Sequence, residues 1–379
     1  MSICKLVFLG DFCATHPELI QLDGELTNII SSADIRCLNF EGPMKTDTLD
    51  IPSSTILSQS EYSPQWCEDN GFNCISIANN HALDYGPEGL TRTIKSFTHS
   101  KIVGCGDWTE AYAPVFFEVN NYKIGILSAS SADLASLKDI TIDKDKVGCA
   151  WLNSDSFNNS IIQTKKQCDF LCIVPHAGVE YMNLPLPEWR DRYKSMIDLG
   201  ADAIIASHPH VPQGFEWYNG KPILYSLGNF FFERSGSDNL PAFWNSGLIA
   251  VLEIGRDSTI SFNVLPIKVI GYNIEMDHSQ EVFKHLNWLQ HLLTFNDIYI
   301  NQVNAEVLKL YPKYEEWLLT SLKAVKFDDN KSLLRTLYRA FRMYFKYQVN
   351  HRVAMHQLRE ESTRYLLIRA FKLLSKSYL

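Results

Sequence analysis

Short apolar runs that stop abruptly at polar residues recur through the first 230 positions of the chain. Residues 3–9 give way to Gly10-Asp11, 35–40 run into Glu41-Gly42-Pro43, and 74–78 into Asn79-Asn80-His81. Residues 170–174 lead to Pro175-His176, and 203–206 to Ser207-His208-Pro209-His210. Apolar runs of this length, bounded by turn residues, read as buried strands. Between them lie stretches with helical spacing: 17–31 (Leu19, Leu22, Leu26, Ile29, Ile30), 64–70, 86–98 with Pro87 in its first turn, 154–167, and 187–199 closed by Gly200. Strands alternating with helices predict an α/β fold. Residues 102–104 are a further short strand. Residues 114–119 and 123–128 pair across Asn120-Asn121. Residues 44–60 and 129–153 read as loops.

The second half is richer in strands. Asn219-Gly220 between 215–218 and 222–227 is a strong hairpin signal, and 246–254 with 259–267 form a second candidate hairpin. From about 278 glycine and proline become sparse and helical periodicity takes over. The pattern divides the chain into an α/β domain, 1–275, and a helical C-terminal subdomain, 276–379. In the latter Leu333, Leu337, Phe341 and Phe345 form one stripe, and Arg335, Arg339, Arg342 and Lys346 another. From Lys331 onward eleven Lys/Arg face only Glu360 and Glu361. That region is a solvated basic face or a docking surface for a membrane or a protein partner.

With 46% hydrophobic and 21% charged residues the chain is composed like a folded globular protein. A net charge of -8 leaves no electrostatic footprint for nucleic acid. The nine cysteines are scattered, several inside apolar runs, and no pair has zinc-finger spacing. Together with an N-terminus that lacks a basic and apolar leader, they point to a reducing, cytoplasmic compartment, with attachment at the inner membrane face left open.

Strand C-termini converge on one crevice in open α/β sheets. Five runs ending at Asp11, Glu41, Asn80-His81, His176 and His208/His210 therefore form a pattern. Carboxylate, amide and imidazole donors together suit a divalent pair of the Mn, Fe or Zn kind, with Asp11 or Glu41 as the shared carboxylate. Pro209 fixes its own φ and is expected to hold His208 extended.

The blocks Gly10-Asp11, Asn39-Phe40-Glu41-Gly42-Pro43, Ala78-Asn79-Asn80-His81-Ala82-Leu83-Asp84-Tyr85-Gly86, His176-Ala177-Gly178-Val179-Glu180-Tyr181, His208-Pro209-His210-Val211 and Tyr225-Ser226-Leu227-Gly228-Asn229-Phe230 resemble the CapA family. These are capsule and poly-γ-glutamate biosynthesis proteins related to calcineurin-like metallophosphoesterases. The resemblance spans residues 3–267. It implies a four-layer α/β/β/α metallophosphoesterase-like sandwich and a two-metal centre held by Asp11, Glu41, Asn80, His176, His208 and His210. His81 then corresponds to the histidine that protonates the leaving group. Glu180 and Asn229 are expected to touch substrate or to support the ligands. Cys13 stands where the wider superfamily has a histidine, and Glu41 where it has Asp. The implied function is a phosphoesterase-like hydrolase of capsule or exopolymer synthesis, acting on an anionic polymer or a phosphorylated small molecule. Alternatives are a non-catalytic accessory factor using the same site to bind polymer, and cleavage of an amide or glycosyl bond.

Overall fold

The computed structural model describes residues 2–46, 56–133, 135–233, 240–255, 259–321 and 360–375. Two compact units are formed, Met1–Tyr299 and Ile300–Leu379.

The first unit is built on β1 (Ser2–Cys13). Its alternating side chains face two different cores. Leu6 and Phe8 join the apolar cluster between two sheets, while Val7 and Leu9 join the cluster under an outer helical layer. The larger sheet runs in the order β2 (Gln21–Leu22), β18 (Asn273–Met276), β17 (Ile260–Ile270), β16 (Ser246–Gly255), β1, β3 (Ile35–Phe40), β4 (Cys74–Ser76), β5 (Lys101–Val103). Its ninth strand, β15 (Asn229–Phe232), also pairs with β1. The second sheet runs β13 (Phe215–Tyr218), β14 (Lys221–Leu224), β12 (Ala203–Ile205), β11 (Phe170–His176), β8 (Tyr122–Ser130), β7 (Val115–Val119). A small third sheet joins β6 (Cys105–Gly106), β10 (Gly148–Ala150) and β9 (Ser136–Leu137).

Leu26 and Ile30 of α1 (Gly24–Ser31), Cys67 of α2 (Ser63–Asp69) and Leu90 of α3 (Gly86–Ser96) cover the larger sheet. After the single turns α4 (Trp108–Ala111) and α5 (Ile140–Asp143), the helices α6 (Asp155–Lys165) and α7 (Pro187–Asp198) pack on the second sheet. The result is the expected four-layer α/β/β/α sandwich. Next, α8 (Gln280–Thr294) lies against β13. The second unit contains most of α9 (Asn296–Ser321) and α10 (Glu361–Ser375). There Arg369 Nε donates to Asn304 Oδ1 at 2.8 Å and Leu366 and Ala370 are buried. The apolar stripe from Leu333 to Phe345 and the basic one from Arg335 to Lys346 lie outside the described residues. Among the described residues, no helix is long and apolar enough to cross a membrane.

Three expectations are corrected. Residues 17–31 are not one helix. Pro17–Leu19 is a 3-10 turn, Gln21–Leu22 a strand, and α1 starts only at Gly24, where Asp23 Oδ1 accepts from Leu26 N at 2.6 Å. An Asp that caps the amides ahead of it ends the extended segment there. Residues 129–153 are not all loop; β9, α5 and β10 lie within them. His208 is not extended: its φ is +107°, and that of His210 is +59°. Asn120, Asn121 and Asn219 are also left-handed, as tight hairpin turns require.

Candidate metal centre

The crevice forms where β1 changes neighbours. Residues up to Leu9 pair with β16, whereas Asp11 pairs with Asn229 of β15 on one side and Asn39 of β3 on the other. The switch happens at Gly10. A Cβ there would sit 1.9 Å from the carbonyl oxygen of Gly228, so only glycine lets that backbone cross. Asp11 N donates to the same oxygen at 3.0 Å. The strand exchange thus delivers Asp11 and the end of β15 to one crevice.

Asp11 and Glu41 are fully buried, and His176, His208 and His210 are nearly so. Around Glu41 the donors fall into two groups that could hold metal ions, Glu41 with His176 and His208, and Glu41 with Asp11 and His210. Glu41 Oε1 lies 3.7 Å from His176 Nε2 and 3.7 Å from His210 Nε2. His208 Nδ1 is 3.1 Å from His176 Nε2, and Asn80 Oδ1 is 2.9 Å from that same nitrogen. Asp11 Oδ2 is 3.4 Å from His210 Nδ1. Neither Glu41 oxygen has a hydrogen-bond partner among the described residues. An uncompensated buried carboxylate is costly, whereas cations beside it remove the cost. The residues therefore fit metal binding, and Glu41 belongs to both donor groups.

Electrostatics agree. Burial, followed by the neighbouring Asp11 charge, pushes the Glu41 carboxyl well above its ordinary range. Burial also raises Asp11, against the opposing pull of His210 and the Asn39 and His208 hydrogen bonds. Burial lowers His176 well below the usual imidazole value and takes His208 down to about 3. Neutral imidazoles are the form that ligates metal.

Several groups hold the donors in place. Asn229 Oδ1 accepts the Nδ1–H of His210 at 2.9 Å, which leaves Nε2 facing Glu41. Asn229 Nδ2 in turn donates to the carbonyls of His210 and Trp244. Asn39 Nδ2 donates to Asp11 Oδ1 at 2.7 Å and lies 3.2 Å from His176 Nδ1. The left-handed backbone at His208 and His210 turns the loop back onto β1, where His208 N donates to Asp11 Oδ2 at 3.2 Å. Such non-glycine conformations cost on the order of 1–3 kcal/mol each and persist where surrounding structure enforces them. Gly178 makes room for the loop: a Cβ there would meet Pro209 Cγ at 2.7 Å.

His81 stands at the rim, its side chain 16% exposed. Asp84 Oδ2 binds its Nδ1 at 2.7 Å, and its Nε2 lies 4.0 Å from Glu41 Oε1. Burial pulls its proton affinity down, but the Asp84 charge and hydrogen bond outweigh this and the net direction is upward. Glu180 contributes its charge to His81, Glu41 and His208. Cys13 is buried with its thiol pushed up by desolvation and its Sγ 3.9 Å from the Ser58 carbonyl, and it belongs to neither donor group.

The structure thus brings Asp11, Glu41, Asn80, His81, His176, His208, His210 and Asn229 together, with Glu180 near enough to act on them electrostatically. Sequence reasoning missed Asn39 and Asp84. The i, i+3 spacing of His81 and Asp84 just before a helix is the signal that could have found the second.

A layered α/β sandwich with a buried carboxylate–imidazole centre at its strand ends is the class this geometry defines. Residues 14–234 match the family described as "Bacterial capsule synthesis protein PGA_cap", and the chain belongs to that family. The matched span contains every candidate ligand except Asp11. The chain is 32% identical over 216 residues to the capsule biosynthesis protein CapA of Bacillus anthracis, covering 54% of this chain and 52% of the relative. It is 30% identical over 247 residues to the PGA biosynthesis protein CapA of Bacillus subtilis strain 168, covering 64% and 63%. It therefore spans only between half and two thirds of these relatives' lengths. A Staphylococcus aureus protein solved under the provisional name 5'-nucleotidase superposes with a TM-score of 0.45 at 11% identity, covering 75% of this chain and 58% of that one.

Proposed function

We propose that this protein is a metal-dependent phosphoester hydrolase acting in the assembly of a capsule or poly-γ-glutamate-type exopolymer. One observation carries the reading: a fully buried Glu41 whose two oxygens lack hydrogen-bond partners among the described residues, set between two imidazole-containing donor groups. Asp11, Glu41, Asn80, His176, His208 and His210 would hold a Mn, Fe or Zn pair. Bound there, such ions supply Lewis acidity toward a phosphoryl oxygen and activate water.

The chain's own contribution is positioning and proton supply. Hydrolysis joins a water oxygen to phosphorus and releases the ester oxygen, which needs a proton. His81, its Nδ1 held by Asp84, presents Nε2 toward the centre and can give that proton. Asn229 and Asn39 keep the ligand atoms aimed. The substrate class is an anionic polymer or a phosphorylated small molecule.

The test is a panel of phosphomonoesters and phosphodiesters with Mn-, Fe- or Zn-loaded protein, wild type against His81→Ala. Turnover that falls about 10²–10⁴-fold in the variant fits the reading. No turnover of any ester by fully loaded wild type sinks it. Cys13, buried where an imidazole would add a donor, favours a second reading, a non-catalytic accessory factor. That reading expects polymer binding without turnover, abolished by His208→Ala.

A further inference from the structure

Beneath the loop that carries His81, two cysteines face each other across the small sheet. Cys105 of β6 is directly opposite Cys149 of β10 in an antiparallel pair. The bond next to them runs from Ala150 N to Gly104 O at 3.1 Å, and Cys149 N donates instead to Ala135 O at 2.8 Å. This makes the cysteine pair a non-hydrogen-bonded one, in which Cα atoms stand about 4.5 Å apart. Disulfides span Cα separations of roughly 4.4–6.8 Å, so a pair of this register falls at the short end of the range that a disulfide bridges. The two thiols are 5% and 0% exposed and lie in one apolar cluster with Ala78 and Ala82, which flank the Asn79-Asn80-His81 segment.

We propose that Cys105 and Cys149 form a redox-reversible disulfide site coupled to the His81 loop. The coupling runs through Cys149. Its Sγ lies 3.6 Å from the Ile77 carbonyl and 3.9 Å from that of Asn79. Asn79 in turn accepts from His81 N at 3.2 Å and donates to the Phe40 carbonyl at 2.8 Å, next to Glu41. Turning Sγ toward Cys105 withdraws it from both carbonyls and loosens the support of Asn79.

A low-molecular-weight disulfide such as oxidised glutathione is the oxidant. β6 is two residues long and lies at a sheet edge, so local opening exposes Cys105. Its thiolate attacks one glutathione sulfur and expels a glutathione thiolate. Cys149 thiolate then attacks the Cys105 sulfur of the mixed disulfide and expels the second. Two electrons pass to the oxidant, and the two thiol protons end on the two glutathione thiols.

The full chain is incubated with oxidised glutathione, remaining thiols are alkylated after denaturation, and digests are read by mass spectrometry. Hydrogen exchange of residues 77–84 is followed on the same samples. The expected result is a crosslinked peptide joining Cys105 to Cys149, reversed by dithiothreitol and lost in Cys105→Ser and in Cys149→Ser. Exchange at 77–84 changes on oxidation in wild type only. Should Cys149→Ser fail to fold, Cys105→Ser leaves the Cys149 contacts intact and gives the same reading. Both cysteines fully alkylated after oxidation, crosslinks to other cysteines instead, or exchange at 77–84 identical in both redox states overturns the proposal.

Discussion

Replacing Glu41 by Gln separates a residue kept for the fold from one kept for metal. The side chain is fully buried, and neither oxygen has a hydrogen-bond partner among the described residues. Leaving a buried polar group unsatisfied costs about 1–3 kcal/mol, more when it is charged. Gln keeps the shape and removes the charge. In metal-stripped protein Glu41→Gln is therefore expected to be as stable as wild type or more stable. Metal reverses the order. At one hundred times the dissociation constant, binding adds about 2.7 kcal/mol per site. Domains of 150–250 residues shift by roughly 2–4 °C per kcal/mol and larger ones by less, so wild type gains up to about 5–10 °C for each occupied site and the variant far less. The pH dependence carries a sign as well. A carboxyl raised in the folded state binds more protons there than in the unfolded chain, so stability falls as pH climbs from the unfolded Glu value toward the folded one. Subtracting the Glu41→Gln curve from that of stripped wild type isolates this fall from the opposite trend of the lowered His176 and His208. The assay is thermal melting between pH 4 and 8, with chelator and then with Mn or Zn. A variant that loses several kcal/mol when stripped, yet keeps the full metal-induced shift, refutes the reasoning.

Asp84→Asn removes the charge that orients His81 and holds its proton. The expected result is a kcat drop of about 10²-fold or more with KM and metal content unchanged, measured by steady-state kinetics and elemental analysis. Gly10→Ala drives a Cβ against the Gly228 carbonyl and is expected to cost at least about 1–3 kcal/mol, read as a lower melting temperature or insoluble expression. Glu233 sits under a desolvation penalty, but hydrogen bonds from His16 and Thr15 outweigh it and hold its pKa down to about 2. Its contribution is present above the unfolded Glu value and is lost as pH falls toward 2. Glu233→Gln is thus expected to flatten the acid-side loss of stability between about pH 4.5 and 2, measured by acid titration of circular dichroism.

Much of the core was legible in the sequence because burial writes it there. Strands such as Phe170–His176 are buried along their whole length and read as continuous apolar runs, and their polar termini mark the crevice. The loop conformation was not legible. Pro209 biases His208 toward extended backbone, but the bond from His208 N to Asp11 and the packing of Pro209 on Gly178 impose a left-handed one, and both come from strands remote in sequence. The same holds for Asn39. It looks like one more polar residue in a strand until the register sets it beside Asp11 and within reach of His176. Gln21–Leu22 became an edge strand because β18, more than 250 positions later, offers it a partner. The donors themselves could be read; what holds them in place depends on contacts between distant segments.

The central claim is a centre shared at Glu41, and metal content tests it most directly. Protein purified without added metal or chelator, wild type beside Glu41→Gln and His208→Ala, goes to elemental analysis. The account predicts close to two transition-metal ions per chain in wild type, loss of both in Glu41→Gln, and loss of at least one in His208→Ala. Equal metal content in all three, or none in wild type even after incubation with Mn, Fe and Zn, would contradict it.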